Sequence, residues 1–178
     1  MMPGANIVRE NRPRARRPGG TALVPGQERY RVAGGSALAL RLAAGDRLRV
    51  VDLEGGQWCE LVAFGPDGRG DPAIIGAVAN GRAEGLRQTL AREGSMGRLA
   101  ASLARHSLSL ERARSTALFG PDSRAGEEAD FVATAPGLLL AGAPGDEMRV
   151  DEQNPPTDLE LFVERLSPAA NAVPGLPD

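Results

Sequence analysis

Apolar and polar positions alternate with a period of two through much of the chain, the spacing of half-buried strands. Ala37–Leu42 sets Leu38, Leu40 and Leu42 on one face. A Gly45-Asp46 turn leads into a strand over Arg47–Leu53, and a second strand over Trp58–Phe64 ends at the turn sequence Gly65-Pro66-Asp67-Gly68. Shorter strands are predicted at Thr21–Pro25, Tyr30–Ala33, Phe131–Thr134 and Gly137–Ala141, with a last one at Leu159–Leu166. The period changes between residues 83 and 118, which are rich in Ala, Leu, Arg and Glu. One helix is predicted over Ala83–Glu93. A second is capped by Ser95 and carries Met96, Leu99, Leu103 and Leu110 at spacings of three and four, with His106 on the same stripe. The pattern predicts a mainly β (α+β) fold, a distorted β-sandwich or barrel with a helical insertion around residues 83–118.

The segment between the two central strands gathers the most chemistry. Gly55-Gly56 predicts a tight hairpin, because glycine reaches positive φ without a Cβ clash. Pairing across it sets Leu53 opposite Trp58, Asp52 opposite Cys59 and Val51 opposite Glu60. Alternation sorts Leu48, Val50, Asp52, Cys59, Leu61 and Ala63 to one face. Arg49, Val51, Leu53, Trp58, Glu60, Val62 and Phe64 take the other. Glu60 then stands among bulky apolar neighbours, where desolvation makes a carboxylate a candidate acid or base. Arg49, diagonally across, offers the plainer alternative of an ion pair. Cys59 reads as a buried, inert thiol, and Trp58 as core.

Composition narrows the chemistry. The chain has 178 residues, which suits one domain with tails, and a net charge of −2, which attracts neither nucleic acid nor membranes. All 21 basic residues are arginine. Without lysine there is no Schiff-base chemistry and no standard phosphate-binding P-loop. One cysteine and one histidine give no internal disulfide and few soft metal ligands. Residues 1–20 read as a disordered basic arm with five arginines between Arg9 and Arg17 and no aromatic to stack on bases. Residues 21–167 read as one domain, and 168–178 as a proline-rich tail or linker. The expected location is cytoplasmic, since no apolar run has the length of a membrane span and the N-terminal stretch lacks a signal core.

The stretch Val51-Asp52-Leu53-Glu54-Gly55-Gly56-Gln57-Trp58-Cys59-Glu60 resembles the urea carboxylase-associated family. So do Gly45–Val50 before it and Asn154-Pro155-Pro156-Thr157-Asp158-Leu159 near the end. The wording Glu-Gly-Gly-Gln-Trp-Cys-Glu-Leu looks most like the degenerate first copy found ahead of an intact domain in aminomethyltransferase-like and trimethylamine N-oxide demethylase-like proteins. The resemblance places Glu60 at the family's acidic site position and Gln57 at its glutamine. It implies zinc held by cysteines after this motif. No cysteine follows Glu60 here, so it implies no metal in this chain.

The leading expectation is a non-catalytic companion domain, structural or substrate-channelling, in a folate-linked demethylase or aminomethyltransferase-like system of amine and one-carbon metabolism. Its pocket would be formed by Glu60, Gln57 and Trp58, with Arg49 and Asp52 as further ligand-binding candidates. No cofactor is expected in the chain, with zinc or tetrahydrofolate assigned to a partner domain. Expected partners are an aminomethyltransferase-like domain, an intact family domain or a second copy. The alternative is a hydrolase cleaving a C–N bond, like carboxyguanidine deiminase subunits, with Glu60 as base or metal ligand. A third reading is a small-molecule binding protein that acts alone.

Overall fold

A computed structural model of the chain describes residues 20–22, 26–92, 94–145 and 155–166. The predicted basic arm before residue 20, Pro25, Glu93, Asn154 and the proline-rich tail lie outside the described residues. The strands are β1 (Gly20–Ala22), β2 (Gln27–Val32), β3 (Ala37–Leu42), β4 (Arg47–Asp52), β5 (Trp58–Phe64), β6 (Thr116–Phe119), β7 (Glu127–Val132), β8 (Gly137–Gly142) and β9 (Leu159–Glu164). A 3-10 turn covers Pro72–Ile75, and two helices follow, α1 (Glu84–Leu90) and α2 (Ser95–Arg105).

The strands form two antiparallel sheets, one in the order β1-β2-β9-β4-β7 and the other in the order β3-β8-β5-β6. They pack face to face as an open sandwich, so the predicted mainly β fold holds and the barrel alternative does not. Between the sheets lies an apolar layer in which Leu48, Val50, Leu159, Leu161 and Val163 meet Cys59, Leu61, Ala63, Leu139 and Ala141. Each large aliphatic side chain buried there contributes on the order of 2 kcal/mol. A second apolar layer lies on the outer face of the four-stranded sheet. There Val62, Phe64 and Leu140 are covered by Leu86 and Leu90 of α1 and Leu103 of α2. This explains why β5 is buried on both faces from Cys59 onward.

The predicted β4–β5 hairpin is not present. β4 pairs with β7 and β9, while β5 pairs with β6 and β8, in the opposite sheet. Residues 53–57 cross from one sheet to the other as an arch. The predicted inward face survives, because in an arch the two strands turn the same alternating set toward each other across the core. The other predicted face is split, with Arg49 on the outside of one sheet and Glu60, Val62 and Phe64 on the outside of the other. The predicted cross-strand partners do not survive. Asp52 sits opposite Glu127 and Leu159, Cys59 opposite Leu118, and Glu60 opposite Ala117 and Gly142.

Three smaller expectations also change. Ser95 is the first residue of α2 and makes no side-chain cap, the cap position being Gly94. α2 ends at Arg105, where Ser107 enters the left-handed region and the amide of Leu108 turns back to the carbonyl of Leu103. Leu110 therefore reaches the helix-side core from a loop. The helical insertion is also shorter than predicted, since Thr116–Phe119 is a strand.

The outer face of the five-stranded sheet is laced with ion pairs. Arg49 lies 2.8 Å from Asp130 and 3.5 Å from Glu128. Arg29 pairs with Glu160, and Arg31 with Asp158. Two more ion pairs are largely buried: Arg165 contacts Asp46 and Glu28, each at 2.7 Å, tying the end of β9 to the β3–β4 turn and to β2. Burial works against the Arg165 charge, but the hydrogen bonds to Glu28 and Asp46 outweigh it and leave the guanidinium firmly protonated. Among the described residues no helix is long and apolar enough to cross a membrane.

Candidate functional site

The arch is organised by Asp52, the last residue of β4. Its carboxylate, fully buried, accepts hydrogen bonds from the amide of Gly55 at 3.0 Å, the amide of Gln57 at 3.1 Å and the hydroxyl of Ser123 at 2.6 Å. A short acidic side chain that binds amides a few residues ahead is an Asx-type turn. Gly55 has φ 82°, and a Cβ there would stand 2.8 Å from the carbonyl of Ser123, so glycine is required on both counts.

Gln57, also buried, connects three segments. Its amide nitrogen donates to the carbonyls of Trp58 at 2.7 Å and Pro144 at 2.9 Å. Its amide oxygen accepts from the backbone N–H of Thr157 at 2.8 Å. The arch is thereby fastened to the β8 exit and to the approach to β9.

Glu60 points to the helix-covered face of β5 and is 7% exposed. Oε2 accepts from the amide of Leu86 at 2.7 Å, and Oε1 from the hydroxyl of Ser115 at 2.8 Å. Leu86 is the third residue of α1, so its N–H has no partner within the helix. The helix start also carries partial positive charge, which favours a carboxylate. Ser115 accepts in turn from the amide of Ala83 at 2.8 Å. Ala83 is the residue before α1 and sits at φ 57°, with no side-chain cap of its own. Glu60 and Ser115 together therefore supply the cap that the local sequence lacks. Gly85 and Pro144 approach the carboxylate closely: a Cβ on Gly85 would lie 2.9 Å from the Pro144 ring and 3.1 Å from Oε2.

The sequence-predicted residues do not converge on one pocket. Glu60 and Gln57 lie on neighbouring stretches and both come near Pro144, but their side-chain hydrogen bonds go to different groups. Asp52 is closed into the arch. The expected Arg49–Glu60 pair is absent because the two residues lie in different sheets. Arg49 faces solvent, and its charge is reinforced by the hydrogen bond to Asp130, then by the charges of Asp130 and Glu128. Trp58, expected in the core, is 41% exposed, with its ring against Gly120. Cys59 is fully buried in the inter-sheet layer. Burial, then the nearby Glu60 and Asp52 charges, push its thiol well above the usual range, so it is no nucleophile. His106 is exposed at the end of α2, away from all of these residues.

The donor set does not fit zinc. The groups at the Glu60 carboxylate are a backbone amide and a hydroxyl, while Cys59 on the same strand points to the opposite face. Among the described residues no three His, Cys, Asp or Glu side chains gather as a metal site. Ser115, Ser123, Thr157 and Leu86 completed the picture only in three dimensions. Each lies between 26 and 100 residues from the side chain it binds. Serines and backbone amides carry no spacing signal across such distances.

No family model matches the chain. The chain is similar to the trimethylamine-oxide aldolase of Ruegeria pomeroyi strain DSS-3, with 36% identity over 158 residues. That alignment covers 88% of this chain and 20% of the aldolase, so the chain spans about one fifth of the relative's length. It is also similar to a crystal structure of a DUF1989 family protein from Silicibacter pomeroyi DSS-3. The TM-score is 0.47 and the identity 13%, covering 88% of this chain and 82% of the other.

Proposed function

We propose that the chain is a non-catalytic companion domain, structural or substrate-channelling, of an amine-metabolising system of the folate-linked demethylase or aminomethyltransferase-like kind. One observation carries the reading. The carboxylate at the position where the resemblance expects reactivity has both oxygens bonded inside the protein, to the Leu86 amide and the Ser115 hydroxyl. A general base needs a free lone pair within hydrogen-bond reach of the proton it removes. Here each oxygen is already held by a protein donor, and with Glu60 only 7% exposed little of the carboxylate is open to a substrate. The amine context is supported by the similarity to one fifth of trimethylamine-oxide aldolase. In this reading the chain contributes surface and stability to a larger assembly, and the reacting groups belong to another domain.

Two measurements on the purified chain test the proposal. Trimethylamine oxide is incubated with the chain alone, with and without added zinc, and followed by NMR. The expected result is no consumption. Sedimentation with an aminomethyltransferase-like protein from the same genome is expected to give a complex. Turnover by the chain alone that Glu60→Gln abolishes, with the fold retained, would overturn the reading in favour of the hydrolytic one.

A further inference from the structure

α2 does not cover the outer face of the four-stranded sheet completely. Between this helix and the edge strand β3 lies an open slot of about 730 Å³, within the size range of small-molecule sites. Its floor is apolar, built from Phe64 of β5, Leu99 and Leu103 of α2, and Leu138 of β8. Leu99 and Leu138 remain half-buried, so apolar surface stays open to a ligand. Arg41 and His106 line the slot from opposite walls, β3 and the end of α2, and both are exposed. Among the described residues no Asp or Glu lines it. Asp67, next to the lining residue Pro66, accepts from the amide of Arg69 at 3.0 Å. Arg41 has no carboxylate partner among the described residues, whereas Arg29, Arg31, Arg47 and Arg49 on the other sheet are all paired.

We infer that this slot binds a small free organic anion, with an apolar body laid between Leu99 and Leu138 and a terminal carboxylate held by Arg41. A guanidinium suits a carboxylate because its planar fork donates two parallel hydrogen bonds. The apolar floor supplies affinity, and the cationic wall selects the sign of the charge. This site is separate from Glu60 and stands whether or not the companion reading holds.

The test uses octanoate as probe on the full chain, with octylammonium as the charge-reversed control, by titration calorimetry and NMR. Octanoate is expected to perturb Leu99, Leu103, Leu138 and His106. It should bind at least about tenfold more tightly than octylammonium, and Arg41→Ala should weaken it about tenfold. Arg47→Ala, a similarly exposed arginine on the other sheet, should leave binding unchanged. Ala39→Trp should block the slot, and where it disturbs folding by circular dichroism, the Arg41→Ala and octylammonium comparisons decide. No binding, equal affinity for the two probes, or perturbation confined to another face overturns the inference.

Discussion

Glu60 Oε2 lies 2.7 Å from the amide nitrogen of Leu86, a bond that joins the middle of β5 to the first turn of α1 across 26 residues. It places a buried carboxylate where a helix presents unpaired N–H groups and partial positive charge. The acidic residue that ends the most distinctive motif in the chain is therefore a fastening point of the helical layer.

Gly85→Ala tests how tightly that point is packed. In a helix, alanine is favoured over glycine by about 1 kcal/mol. Here the new Cβ would stand 2.9 Å from the Pro144 ring and 3.1 Å from Glu60 Oε2. Overpacking of this kind costs about 1–3 kcal/mol, so the clash should outweigh the propensity. A lower urea midpoint is expected. A higher one would mean that the neighbourhood of Glu60 is loose enough to admit a ligand.

Cys59 should be silent toward thiol reagents in the native state. It is fully buried between the sheets, and its thiolate is disfavoured by burial and by the neighbouring carboxylates. Labelling should proceed only at the rate of unfolding, and denaturant should accelerate it. Rapid labelling in buffer would contradict the core assignment.

Leu103 carries the packing of α2, with only 5% of its surface exposed. Leu103→Asp should unfold the domain, because an unpaired charge buried in the helix-side core costs several kcal/mol. Circular dichroism and sedimentation read the outcome. A folded variant that has merely lost association would identify the stripe as a partner interface instead.

Asp158 gives a pH-dependent contribution. The Gly34 amide, 2.8 Å away, and then Arg31 hold its carboxyl below the usual range despite some desolvation. A depressed folded-state pKa contributes stability that is full above the unfolded value, about 4, and is lost as pH falls through the lower folded value. Urea midpoints of the wild type and Asp158→Asn should differ at pH 7 and converge as pH drops below about 4. A difference that persists at low pH would contradict the assignment.

The fold was largely legible in the alternation. Leu48 and Val50 were grouped with Cys59, Leu61 and Ala63, and all five lie in the inter-sheet layer. The strand pairing was not legible. Gly55-Gly56 between two alternating runs suits a hairpin and an arch equally well. The choice is made by β7, β8 and β9, which begin 69 or more residues beyond the start of β5 and compete for the edges of β4 and β5. The same long-range choice separates Arg49 from Glu60. β7 begins at Glu127, four residues before the predicted Phe131, because Glu127, Glu128 and Asp130 carry charge at strand positions. They are the solvent and ion-pairing positions of a sheet edge. For the candidate site, the motif identified Asp52, Gln57 and Glu60 as special but not in what way, since their partners are amides and hydroxyls supplied by distant segments.

The central claim is that Glu60 is a structural fastening, and a double-mutant cycle of Glu60→Gln and Ser115→Ala, followed by urea unfolding, tests it most directly. Each single change should cost about 1–3 kcal/mol, since it weakens or orphans a buried hydrogen bond to a charged group. The double variant should lose less than the sum, with a coupling of at least about 0.5 kcal/mol, because both residues serve the same bond. Near-zero losses with simple additivity would show that Glu60 is not held this way, and the account of the site would fail.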